Sequence, residues 1–205
     1  IGHQNHPEVE GTMGQFDDSF GGSIYLVESV EDVGELKIDD PTKLSYVTQT
    51  TLSIDDTQAI MDSLKTRFPE IHGPKTNDIC YATQNRQDSV KQLALECDLV
   101  LVIGSVNSSN SNRLREIAER GGVDSYLIDS LEDLDHKWLE GRSVIGITSG
   151  ASAPEHSARE LVALSQDKHS CSLYGEKDMP YEGITLTLPK GLINRPSSTF
   201  FISLP

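Results

Sequence analysis

Leu99-Val100-Leu101-Val102-Ile103 (LVLVI) is the most continuous apolar run of the chain. Five aliphatic residues without alternation predict a strand buried on both faces, the signature of a parallel sheet covered by helices. A polar loop over residues 104–112 follows, then a helix predicted over residues 113–120 and closed by Gly121-Gly122. The alternation continues beyond it: a strand at 125–128, a helix at 131–139, a strand at 144–147 and a helix opened by Pro154 that runs to about 165. One more strand is predicted at 184–188.

The same rhythm holds before the run. A helix is expected at 84–96, with Val90, Leu93 and Ala94 facing inward. Ser53 is placed to cap a helix from Ile54 to Arg67 whose Ile60, Leu64 and Phe68 form a buried stripe. Strands are expected at 23–27 and 44–47, and Ser29 with Asp32 makes a weak capping box for a short helix. Residues 1–3 read as the exit of a strand that leads into a polar loop, as if the chain were cut inside a domain. Strands and helices joined by short connections give an α/β fold with small parallel-type sheets flanked by helices. Two units are expected, residues 1–76 and 77–167, with residues 168–205 as a C-terminal arm.

Composition narrows the function classes. The 205 residues carry 32 Asp+Glu against 17 Lys+Arg, a formal charge of −15. Nucleic acid is not expected as a partner, because a phosphate backbone calls for surplus Lys and Arg. No run approaches the ~18 apolar residues of a membrane span. Three cysteines, Cys80, Cys97 and Cys171, are too few and too scattered for a disulfide framework, so a cytoplasmic location is expected.

In parallel sheets ligands bind beyond the carboxyl ends of the strands. Three polar loops take that position: 48–51, 105–112 and 148–153. Each precedes a helix, where free N–H groups and the dipole favour anions. Serine and threonine at such places also serve simply as caps. His6-Pro7-Glu8 pairs an imidazole with a carboxyl group, a hydrogen-bond donor beside a general acid, or else a solvated loop. Cys80 just before a helix is either an available thiol or an inert buried one. Cys97 reads as core, and Cys171 has no partner motif.

Five stretches occur in order: residues 2–12 (GHQNHPEVEGT), 48–53 (TQTTLS), 78–87 (DICYATQNRQ), 107–114 (NSSNSNRL) and 150–154 (GASAP). Together they closely resemble the LytB/IspH family of 4-hydroxy-3-methylbut-2-enyl diphosphate reductases, over residue 1 to about 192. The resemblance implies three α/β units in a trefoil around a 4Fe–4S cluster, each giving one cysteine. It implies reductive removal of the substrate hydroxyl, yielding isopentenyl and dimethylallyl diphosphate. Cys80 matches a cluster ligand, Glu8 the acid that delivers a proton, and Thr50 the threonine beside the substrate hydroxyl. His6, Ser108, Ser109, Asn110 and Ser152 match the residues that bind the allylic diphosphate. A ferredoxin or flavodoxin is implied as electron donor. The first unit and the first strand of the middle one, with the other two cysteines, would lie upstream of Ile1, so this chain alone is expected to be inactive. The alternative is a cluster-free diphosphate-binding protein.

Overall fold

The structure is a computed structural model and describes residues 1–75, 78–169, 172–173 and 200–203. The chain divides into two units, Ile1–Gln84 and Asn85–Pro205.

In the second unit Leu99–Ile103 forms β1, and all five residues are buried. β1 pairs in parallel with β2 (Asp124–Ile128) on one side and β3 (Val144–Ser149) on the other. Its side chains alternate between two cores. Leu99, Leu101 and Ile103 pack with Ile128, Ile145, Ile147 and Leu161. Val100 and Val102 pack on the opposite face with Val90, Leu93, Leu114 and Ile117. Each buried aliphatic side chain contributes about 1.5–3 kcal/mol, so a strand without a polar face is held from both sides. Two short strands, β4 (Ser172–Leu173) and β5 (Phe200–Ser203), extend the sheet in the order β2-β1-β3-β5-β4. β5 runs antiparallel to β3, so the sheet is mixed rather than purely parallel. The strand expected at 184–188 lies outside the described residues.

The helices depart from expectation where polar residues hide them. α5 spans Ser109–Arg120, four residues earlier than predicted. Ser108 caps it by accepting from the Ser111 amide, so the Ser/Asn run is a helical first turn rather than a loop. Serine and asparagine are poor helix formers and carry no apolar period, which concealed that turn. The stretch at 131–139 is two 3-10 turns, Leu131–Asp133 and His136–Leu139, and not one helix. Caps from the 130–133 box and from Asp135 start each turn anew. α6 runs from Glu155 to His169, directly after Pro154. α4, Tyr81–Glu96, starts three residues before its predicted entry and bridges the division between the units.

In the first unit α2 (Val30–Glu35) has the expected box between Ser29 and Asp32, and α3 spans Ile54–Arg67 behind its Ser53 cap. Ile60, Leu64 and Phe68 are buried with Val27 and Val33. The anticipated strands are extended segments with sparse pairing. Ile1 donates to Val47 and accepts from Gln49, Gly2 donates to Val27, and 44–46 exchange two bonds with His72. Residues 1–2 lie between the segments around Val27 and 47–49 and bond to both. Residues 7–14, read as loop, form helix α1 (Pro7–Gly14). Two glycines and an unusual histidine cap masked it.

Candidate functional site

Each unit gathers one set of the singled-out residues. In the first unit a turn closes with the His6 amide donating to the His3 carbonyl at 3.2 Å. Asn5 sits in this turn with φ at +63°, a left-handed conformation that asparagine tolerates. The turn delivers an extended His6 to the N-cap of α1, where its Nδ1 accepts from the Glu8 amide at 3.3 Å. An imidazole accepting at Nδ1 carries its proton on Nε2, so His6 keeps one N–H to offer outward. Pro7 occupies the first helical turn and Glu8 follows it, where a carboxylate is favoured by the helix dipole.

Glu8 is half-buried and bound to Thr50 twice. Its Oε1 accepts the Thr50 amide at 3.0 Å, and its Oε2 accepts the Thr50 hydroxyl at 3.1 Å. The Thr50 carbonyl in turn accepts the Cys80 amide at 3.1 Å. His6, Glu8, Thr50 and Cys80 therefore form one continuous line of contacts, though they are scattered over 75 positions. Two residues that sequence reasoning passed over hold this line. Buried Gln49 accepts from the His3 amide and donates to Thr51, both at 3.0 Å. Asp78 accepts from the Thr48 amide at 3.0 Å. For Gln49 the signal was the density of hydrogen-bonding side chains at 48–51, and for Asp78 its place at the head of the 78–87 stretch.

Cys80 is an exposed, free thiol, so the inert buried alternative is set aside. A 4Fe–4S cluster is held by several thiolates. Cys97 is packed into the core beside Leu93, with its Sγ 3.0 Å from where a Cβ on Gly146 would stand. Cys171 lies outside the described residues. Among the described residues no group of three or more His, Cys, Asp or Glu side chains is poised for a metal ion. The residues present fit one corner of such a cluster, through Cys80, and not a whole one.

In the second unit the loops after β1 and β3 carry the other candidates. Ser108 caps α5, Ser109 opens it, and Asn110 lies in its first turn with 6% exposure. Both the Nδ2 and the Oδ1 of Asn110 are buried without a hydrogen-bond partner among the described residues. An orphaned buried amide costs about 1–3 kcal/mol, so an outside partner would relieve a standing penalty. Ser152 is exposed in the loop that leads to α6. Gly150 ties this loop back, its amide donating to the Ile103 carbonyl at 2.8 Å. The donors of this cluster are neutral, and two helix N-termini stand behind them.

Known proteins resemble this chain over most of its length. A reductase from Saccharophagus degradans, named 4-hydroxy-3-methylbut-2-enyl diphosphate reductase, is 60% identical over 192 residues, covering 94% of this chain and 61% of its own length. A protein of the same name from Acinetobacter baylyi is 56% identical over 192 residues, with 94% and 60% covered. The chain thus spans about three-fifths of the curated relatives it matches. The solved E-1-hydroxy-2-methyl-but-2-enyl-4-diphosphate reductase from Plasmodium falciparum superposes with a TM-score of 0.74 at 38% identity, over 82% of this chain and 52% of that one. The family model described as LytB protein matches residues 1–165. Residues 1–165 include every candidate site residue, and the chain belongs to the LytB protein family.

Proposed function

We propose that this chain is part of a 4-hydroxy-3-methylbut-2-enyl diphosphate reductase and carries its proton donor and its diphosphate-binding loops. The observation that carries this reading is the pair of hydrogen bonds that Thr50 donates to Glu8, at 3.0 and 3.1 Å, in line with His6 and Cys80. The units 1–76 and 77–167 with the arm 168–205 belong to the same reading, as two of three units of a trefoil.

Losing hydroxide from an allylic alcohol is slow unless the oxygen is protonated as it leaves. Glu8 holds that proton. When its carboxyl group is protonated, one oxygen becomes a donor while the other still accepts the Thr50 amide, so the carboxyl group stays oriented through the transfer. The Thr50 hydroxyl, 3.1 Å from Oε2, can pass the proton on or steady the substrate hydroxyl. His6 offers its Nε2–H to a phosphate oxygen. Ser108, Ser109, Asn110 and Ser152 hold the diphosphate with neutral donors. Cys80 is the residue of this chain that would hold an iron of the 4Fe–4S cluster. The chemistry supplied by the bound cluster is electron delivery and Lewis-acid activation of the hydroxyl. A ferredoxin or flavodoxin as one-electron donor, and a cytoplasmic setting, complete the proposal. Among the described residues no helix is long and apolar enough to cross a membrane.

The test is turnover of the allylic diphosphate by the whole reductase carrying Glu8→Gln. A glutamine keeps an acceptor for the Thr50 amide and has no proton to give. Turnover is expected to fall about 10²–10⁴-fold, the usual worth of a positioned acid, with substrate affinity nearly kept. An unchanged rate would remove Glu8 as the donor.

A further inference from the structure

The loops that open α5 and α6 meet on one buried side chain. Ser111, in the first turn of α5, is fully buried. Its Oγ lies 2.2 Å from where a Cβ on Gly104 would stand and 2.1 Å from one on Gly150. Gly104 follows β1 and Gly150 follows β3, so both loops close on the same hydroxyl. Neither position has room for a side chain while that hydroxyl is present. The Asn110 amide nitrogen is 3.7 Å from the Gly150 Cβ position, so the orphaned amide sits at this junction too.

Ser111 also decides what Ser108 can do. The Ser108 Oγ accepts the Ser111 amide at 3.2 Å and the Ser111 hydroxyl at 3.0 Å. A serine hydroxyl has two acceptor lone pairs and one proton. With both lone pairs engaged, Ser108 has only its proton left to offer. An anion requires that polarity, and a cation would be refused by it.

We infer that Ser111 is a positioning residue of the anion site: it fixes Ser108 as a donor and locks the two loops into one geometry. The inference rests on the reading of these loops as the diphosphate site. It predicts that Ser111, which needs no contact with the ligand, sets both affinity and preference for a ligand that spans the loops.

The experiment titrates inorganic diphosphate, and orthophosphate in parallel, into the 205-residue chain by calorimetry. The melting temperature of each variant is measured alongside. Ser111→Ala is expected to weaken diphosphate about 10-fold, the worth of one charge-assisted hydrogen bond. It should also narrow the ratio of diphosphate to orthophosphate affinity, which a general loss of stability would leave alone. Gly150→Ala alone should lower the melting temperature, because the new Cβ meets Oγ at 2.1 Å. In the Ser111→Ala background the nearest atom is the residue-111 Cβ at 3.3 Å, so the double variant should melt higher than Gly150→Ala. If the unaltered chain does not bind diphosphate, or Asn110→Ala binds it equally well, the diphosphate reading falls and takes the inference with it. If the chain binds, Asn110→Ala does not, and Ser111→Ala keeps full affinity and ratio, the inference alone is overturned. Additive losses in the double variant overturn the lock.

Discussion

The two units solve the same problem, an α/β layer with polar residues at its edge, by different means. The second is organised by β1, whose five buried residues feed two cores and pair regularly on both sides. The first has extended segments that exchange a few bonds each, and a cavity of about 260 Å3 between them, lined by Ile1, Val27, Leu44, Tyr46 and Leu64 among others. Their candidate residues differ in the same sense. The first unit gathers groups that can move a proton, on a helix start, a loop and a helix entry drawn from distant parts of the chain. The second gathers neutral donors on adjacent loops of a rigid sheet.

Core truncation tests this contrast most strongly. Leu101→Ala should cost about 2–5 kcal/mol, because its close-packed strand cannot collapse onto the void. Leu64→Ala should fall at the low end of that range, since Leu64 already borders a cavity. Urea unfolding measures both, and a larger loss at Leu64 breaks the contrast. Caps sharpen it next. Ser53→Ala, at the start of α3, should cost about 1 kcal/mol and nothing else. Ser108→Ala should cost a similar amount and also weaken diphosphate binding, read by melting and calorimetry together. Equal effects on binding would leave Ser108 as a cap alone.

The smallest effect concerns Asp98 in the second unit. Its carboxylate accepts the Ser143 and Val144 amides at 2.7 and 3.0 Å, which holds its pKa below the usual value. A lowered folded pKa adds stability that is present above the unfolded value of about 3.9 and is lost as pH falls through the folded one. Melting temperature should therefore drop at the acid end, and Asp98→Asn should lower it at neutral pH and shallow the acid drop. A parallel pH profile for the variant would remove Asp98 from the account.

The fold was legible wherever one local signal decided it. An unbroken aliphatic run named β1, and a serine ahead of a periodic stripe named α3 with both its ends. It was illegible where tertiary contacts override propensity. α1 begins at a histidine cap and contains two glycines, and the first turn of α5 is built from Ser109, Asn110, Ser111 and Asn112. The strands of the first unit depend on partners far along the chain, which no local window contains. For the site, the spacing marked the polar loops, but nothing in it joins Glu8 to Thr50, 42 residues away. That pairing was approached only through family resemblance. Ser111 was one letter among several Ser and Asn, and its role follows from two missing Cβ atoms.

The neutral donors around Asn110 have a consequence for which anions reach them. The chain carries a net charge of −15, so every approaching anion meets a repulsive field that grows with its own charge and fades beyond about 8–10 Å at ordinary ionic strength. On the proposed function, a small diphosphate would cross that barrier once and then be held by short-range hydrogen bonds. A nucleic acid, with a charge at every step of its length, meets the field along its whole contact. On that reading the acidic chain would filter anions by size, and added salt should open the filter wider, opposite to the behaviour of a site built from lysines and arginines.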